Sequence, residues 1–343
     1  MNTMMTYINQ QPEVLNKIAS GVFLPQIKKE LAKVIPEDKT NLRIVMVASG
    51  TSLNAARVAG RYFPCEVEYY YPYEFTAYNN LDSYNDNTVF ILISQGGTSL
   101  STYAALQHVK GKFKTLAVVG DVSKPIATEA DAAIEFGCGP ETVVYRTKGY
   151  TSSALMLCLI AAVLNESDEI FAYQYDVPGL PFFMERSVKF TEQHLEEMKD
   201  CSSWIIAGSG INNVTAVEGA LKIIETVRVP SMSFDLEELI HGAQNAITET
   251  TRIVIIENFD DEDDKAFNLF RALRLTGQKS YLIGTRERNE FNEFILTRPE
   301  YLLDEMTAII PLQHISYLVS QARCVDLTKP GLSELSNYIA KSL

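Results

Sequence analysis

The amino-acid sequence predicts an α/β protein of two similar, doubly wound halves, each a parallel sheet flanked by helices. Three observations predict it. Apolar runs without polar alternation read as strands buried on both faces. Segments with helical apolar spacing separate those runs, which is the order of βαβ units. And a strand that leads through a small polar, glycine-containing turn into a helix occurs near residue 44 and again near residue 204.

Taken in order, Pro12 opens a helix whose apolar positions continue through Ile18, and a second helix runs from about Leu24 to Ile35. Residues 43–48 form a strand, Ser49-Gly50-Thr51-Ser52 a turn and residues 54–62 a helix. Strands follow at 67–71, 88–93, 115–119 and 132–136. Within the helix expected over 151–164, the apolar run from Ala154 to Leu164 is too short to span a bilayer, so it reads as a buried core helix. Residues 165–183, with acids, Pro178, Gly179 and Pro181, read as a linker zone, followed by a helix over 184–199. The second half repeats the pattern: strand 204–207, turn 208–213, helix 214–227, strands 252–257 and 280–283, helix 308–319. Expected boundaries are an N-terminal helical segment (1–25), a first domain (26–170), a linker and connecting helix (171–195), a second domain (196–327) and a tail (328–343). A dinucleotide fold competes, but Gly208-x-Gly210 is followed by Asn213 where its fingerprint needs glycine.

The chain has 343 residues, 46% hydrophobic and 21% charged, as globular proteins do. Its formal charge of −13 opposes nucleic acid or an anionic membrane as partner, since both favour basic patches. Five scattered cysteines without a C-x-x-C pair, and four histidines apart from them, give no metal-ligand spacing. Unpaired thiols fit a reducing compartment, and residues 1–11 lack the features of a signal peptide, so a cytoplasmic protein is expected.

The sequence Ser94-Gln95-Gly96-Gly97-Thr98-Ser99 stands between an apolar strand and a helix. Such a turn gathers hydroxyls and backbone N–H groups at one spot, suited to a phosphate dianion without lysine or arginine. On the helix near 216–226, Lys222 and Glu225 are three apart and share a face. The simplest local reading is an exposed ion pair. The apolar neighbours Leu221, Ile223 and Ile224 favour a buried helix instead, where a carboxylate beside a lysine is costly and tends to be functional. Before a glycine, His241 reads locally as a cap. Arg146 and Lys148 read as a solvated helix start, and Lys341 as part of a frayed end.

Taken together, several segments resemble tandem sugar-isomerase (SIS) proteins, in particular the isomerase half of glucosamine-6-phosphate synthase and the fructosamine-6-phosphate deglycases. They are Gln10-Gln11-Pro12-Glu13, Ser49-Gly50-Thr51-Ser52, Ser94-Gln95-Gly96-Gly97, Glu141 with Thr147-Lys148, Gly219-Ala220-Leu221-Lys222-x-x-Glu225, Glu238-Leu239-x-His241-Gly242 and Ala340-Lys341-Ser342, in the family's order and across nearly the whole chain. The resemblance implies that Ser94, Gln95, Ser99 and Ser52 hold the sugar phosphate, while Thr51 and the backbone near Val144 touch the sugar. It makes Glu225 the base that moves a proton between C1 and C2, assisted by Lys222. His241 opens the ring and comes from the partner subunit, and Lys341 meets the open-chain carbonyl. No cofactor or metal is implied.

This chain departs from the family pattern in three places. Gly96 replaces a serine, leaving its backbone N–H as donor. Ser49 stands where cysteine is common, and Tyr145-Arg146 replaces a small pair. The synthase's glutaminase half and cysteine nucleophile are not in this sequence, so no ammonia source is expected. The expected activity is therefore release of an amine from a 6-phosphorylated fructosamine- or glucosamine-type adduct, by a homodimer or larger homo-oligomer with shared sites. A phosphosugar aldose–ketose or amino-sugar isomerase or deaminase is the alternative, and a non-catalytic phosphosugar sensor the alternative of another class.

Overall fold

A computed structural model describes residues 3–167, 175, 177–259, 263–296 and 304–343. Its elements begin with three helices, α1 (Met4–Asn9), α2 (Gln11–Ala19) and α3 (Leu24–Val34). The first sheet and its helices follow: β1 (Arg43–Val47), α4 (Thr51–Gly60), β2 (Glu66–Tyr70), α5 (Pro72–Tyr78), β3 (Thr88–Ser94), α6 (Leu100–Val109), β4 (Lys114–Val119), α7 (Pro125–Glu129), β5 (Ala132–Glu135) and α8 (Lys148–Leu164). The second half comprises α9 (Leu180–Lys199), β6 (Ser203–Gly208), α10 (Ile211–Thr226), β7 (Ser231–Phe234), α11 (Leu236–Ile240), β8 (Thr251–Ile256), α12 (Lys265–Leu275), β9 (Lys279–Gly284), β10 (Glu293–Ile295) and α13 (Asp304–Ala322).

Among the described residues there are two five-stranded sheets, ordered β2-β1-β3-β4-β5 and β10-β9-β8-β6-β7. Every pairing within them is parallel. The two orders correspond strand for strand, β6 standing for β1 and β8 for β3, so the predicted fold class holds. In both sheets the central strand is wholly buried, β3 and β8 alike, as continuous apolar runs require. Each Ile or Leu buried there contributes about 1.5–3 kcal/mol. Helix α8 is buried on nearly every face, as expected of its apolar run from Ala154 to Leu164. No helix among the described residues is long and apolar enough to cross a membrane.

The chain divides into two compact units that are interleaved in sequence. One holds the first sheet, with residues 13–142, 148–174 and 332–343; the other holds the second sheet, with residues 1–12, 143–147 and 175–331. This corrects the expected separate segment 1–25, because α1 and α2 belong to different units. Helix α1 buries Tyr7 and Ile8 in the unit of the second sheet, where Gln11 donates to Gln313 Oε1 at 2.9 Å. The expected tail at 328 divides at Gly331 for a similar reason, treated below. Helix α9 starts at Leu180, inside the expected linker zone, because Pro181 occupies its first turn, where a missing N–H costs nothing. The remainder of that zone, residues 168–174 and 176, lies outside the described residues.

Candidate active site

The strand order of the first sheet reverses between β1 and β3, where ligands of open α/β sheets bind beyond the strand C-termini. Both polar turns singled out in the sequence lie there. After β1, Gly50 has φ 54° and ψ −132° and precedes the helix that Thr51 and Ser52 open. After β3, Ser94 is buried and its Oγ accepts from Gly97 N at 3.2 Å. Gly97 has φ +64°, and a Cβ there would lie 2.5 Å from Lys124 Cβ, so the turn requires glycine. Gly96 needs none: a Cβ would meet only Thr98 Oγ1 at 3.5 Å, and the serine usual in the family would fit.

Ser99 caps α6. Its Oγ accepts from Thr102 N at 3.4 Å and from Thr102 Oγ1 at 3.0 Å, so its own hydroxyl proton is what it can offer a ligand. The Gln95 side chain has other business. Its amide donates to Glu141 Oε2 at 2.8 Å and packs on Gly149, where a Cβ would come within 2.1 Å of Gln95 Oε1. Glu141 also accepts from Gly149 N at 3.2 Å, which pins the start of α8. At the turn itself Gln95 therefore contributes through its backbone. Lys148 is buried at the start of α8, which corrects the solvated helix start read from the sequence.

The C-terminal residues reach this same turn. Lys341 O accepts from Leu100 N at 3.1 Å, Leu343 N donates to Thr98 O at 2.9 Å, and Ser342 forms an antiparallel bridge with Ser99. The Lys341 residue itself is exposed.

In the other unit, α10 carries the acid/base candidates. The Lys222 side chain is wholly buried between two carboxylates, 3.3 Å from Glu218 Oε1 and 2.6 Å from Glu225 Oε2. Burial alone would lower its pKa; the charges of Glu218 and Glu225 outweigh that and raise it. The expectation that Glu225 is buried needs correction. Its side chain is 29% exposed, and the buried carboxylate is Glu218, at 1%. Sequence reasoning missed Glu218, although its four-residue spacing from Lys222 was a legible signal. A proton-accepting group at the rim, rather than beneath it, is the one that can meet a ligand.

Helix α11 ends at His241, as a cap should: its N–H donates to Glu237 O and Glu238 O. The side chain is 68% exposed, with Nε2 at 3.2 Å from Glu237 Oε2. Val144 is exposed, in the short segment 143–147 that belongs with the second sheet.

Among the described residues, the second half builds the turn that corresponds to the first-half one differently. Gly210 matches Gly50 at φ 57° and ψ −129°. Counting two residues on from the strand pairs Val47–Leu92 and Ala207–Ile255 sets Glu257 at the place of Ser94. The buried Glu257 carboxylate accepts from Thr285 N at 2.6 Å, Thr285 Oγ1 at 2.7 Å and Arg288 Nη2 at 2.5 Å. Burial pushes its pKa up, and these donors more than reverse that. The place of Ser94 is thus taken by a carboxylate that the chain's own donors hold, while Asn258 donates to Ser209 O at 3.1 Å.

A family model for the SIS domain matches residues 39–164. The glutamine–fructose-6-phosphate aminotransferase (isomerizing) of Methanothermobacter thermautotrophicus is 29% identical over 318 residues, covering 88% of this chain and 52% of its own length. The chain thus spans about half the length of that curated relative. The C-terminal domain of glucosamine-fructose-6-phosphate aminotransferase from Francisella tularensis superimposes with a TM-score of 0.81 at 23% identity, over 94% of this chain and 97% of that one. Glucosamine-6-phosphate deaminase from Thermotoga maritima gives a TM-score of 0.78 at 19% identity, over 96% and 97%.

Proposed function

We propose that this chain, whose residues 39–164 match the SIS-domain family, is an enzyme acting on 6-phosphorylated sugar–amine adducts, moving a proton between C1 and C2 and releasing the amine. The observation that carries the proposal is the Glu218–Lys222–Glu225 triplet, in which a fully buried ammonium holds a carboxylate at the rim of its helix. Burying such charges costs several kcal/mol per ion, of order, unless they are paired, and they cluster where chemistry is done. Likeness to an aminotransferase domain and to a deaminase supports chemistry at a sugar carbon that bears nitrogen.

In this reading Ser94, Ser99, Thr51, Ser52 and the backbone of Gln95 and Gly96 hold the phosphate and sugar. Glu225 takes the C1 proton of the open-chain adduct, and the electrons of that C–H bond form the enaminol. Returning the proton at C2 gives the C1 imine; water adds there, and the C–N bond breaks to give free amine and hexose 6-phosphate. Lys222 stabilises the charge that develops on the neighbouring oxygen, and Lys341 meets the open-chain carbonyl. Val144 offers its backbone to the sugar. The partner subunit's His241 opens the ring, in a homodimer or larger homo-oligomer, and its exposure supports that role. Free cysteines support a cytoplasmic setting.

Incubation with 6-phosphorylated fructosamines and glucosamines is expected to yield free amine and hexose 6-phosphate. Interconversion of aldose and ketose phosphates without amine release would make it an isomerase. Saturable binding without turnover would make it a sensor. Ser94→Ala is expected to weaken phosphosugar binding by about 10- to 100-fold, the loss of one hydrogen bond to an ion, with a smaller change in kcat. Unchanged KM with an equal loss in kcat would contradict its place at the phosphate.

A further inference from the structure

The tail that carries Lys341 and the segment that carries Val144 share one anchor. Arg228 follows α10 three residues after Glu225, and its backbone is left-handed, with φ 60°. Helices often end this way, but on glycine, because a Cβ is strained there. Here an arginine takes the strain, and one nitrogen of its guanidinium meets three acceptors. Nη2 donates to Asp326 O at 2.9 Å, to Lys329 O and to the Tyr145 hydroxyl at 3.2 Å. That hydroxyl in turn donates to Lys329 O at 3.3 Å. Asp326 Oδ1 accepts from Thr328 N at 2.9 Å and Thr328 Oγ1 at 2.6 Å, which shapes the turn that presents these carbonyls. Gly331 leaves the turn against the guanidinium, where a Cβ would stand 3.6 Å from Arg228 Nε. Tyr145 is 4% exposed, so a phenol at a place the family fills with a small residue is buried for this tie.

We propose that Arg228 is a positioning residue, which with Tyr145 roots the C-terminal tail and the Val144 segment at the end of the helix that carries Glu225. The inference rests on the functional reading above for its consequence, but not for its geometry. Residues 332–343 are exposed throughout. Little burial holds such a tail, so the course of its first residues depends on the root at Arg228.

The test uses the full chain with Arg228→Gly and, separately, Tyr145→Phe. Glycine suits a left-handed helix end, so the urea midpoint of Arg228→Gly should hold or rise. Amide exchange in residues 332–343 should quicken by about tenfold, and kcat on the amine-releasing substrate should fall more than KM rises. Tyr145→Phe should move both in the same direction by less. Unchanged tail exchange in Arg228→Gly would overturn the proposal, as would faster exchange with undiminished kcat. Failure of the functional reading looks different: no substrate of the panel is turned over, while tail exchange still responds to Arg228→Gly.

Discussion

Glu225→Gln is expected to lower kcat by about a thousandfold, within the range for losing a general base, while KM stays within a few-fold. The substitution keeps the side chain's shape, and Lys222 keeps the Glu218 carboxylate at 3.3 Å, so the fold should survive. What is lost is the only step for which a carboxylate is required, transfer of hydrogen between adjacent carbons. Phosphate binding, assigned to the other unit, should not change. A variant that retains a tenth of wild-type kcat would remove Glu225 from the chemistry. The same protein also tests the shared site. Glu225→Gln and His241→Ala are each expected to be inactive, and subunits exchanged at equal ratio should regain about a quarter of wild-type activity, since half the dimers then hold one intact site. Well-mixed dimers without recovery would place His241 in its own subunit's site or in none.

The sheets were legible where burial is two-sided. The runs 44–47, 89–93, 204–207 and 253–256 within β1, β3, β6 and β8 carry no polar residue to signal a solvent face, and each strand was expected within a residue or two. Strand β7 reads Ser-Met-Ser-Phe and β10 spans three residues, so both edges looked like loop. Edge strands are short and mixed because one side faces solvent or a helix end. The turns of the site were legible for a similar reason: only small polar residues and glycine let a backbone turn back on itself at a strand end. The depth of a charge was not. Spacing places Lys222 and Glu225 on one face, but α13 packing along α10 decides which end of that face is covered. Glu218 and Lys222 are buried, and Glu225, in the last turn, is partly exposed. The partners of Arg228 were out of reach for any local reading, since they lie 83 to 101 residues away in the chain.

Lys222→Met should destabilise the protein by about 3–5 kcal/mol, far more than a surface ion pair is worth, because it removes the ammonium 3.3 Å from the buried Glu218 carboxylate. Glu225 is 29% exposed and can turn to water, so Glu218 accounts for most of the loss. The double variant Glu218→Gln/Lys222→Met should accordingly recover part of the lost urea midpoint, since methionine fills the volume and the fully buried carboxylate is gone. A double variant no better than Lys222→Met would mean that packing, not charge, sets the cost. The pH dependence has a definite sign. Lys222 is raised above its unfolded value, about 10.4, by two carboxylates that outweigh its burial. Its contribution is complete below that value and is lost as pH climbs through the folded one. The gap between wild type and Lys222→Met should therefore be constant from pH 7 to 9 and close only in stronger alkali. A gap that closes on acidification instead would point to protonation of Glu218 as the dominant event. The pair would then be held together by the state of the carboxylate, and the buried ammonium would be a consequence of the site's charge and not its source.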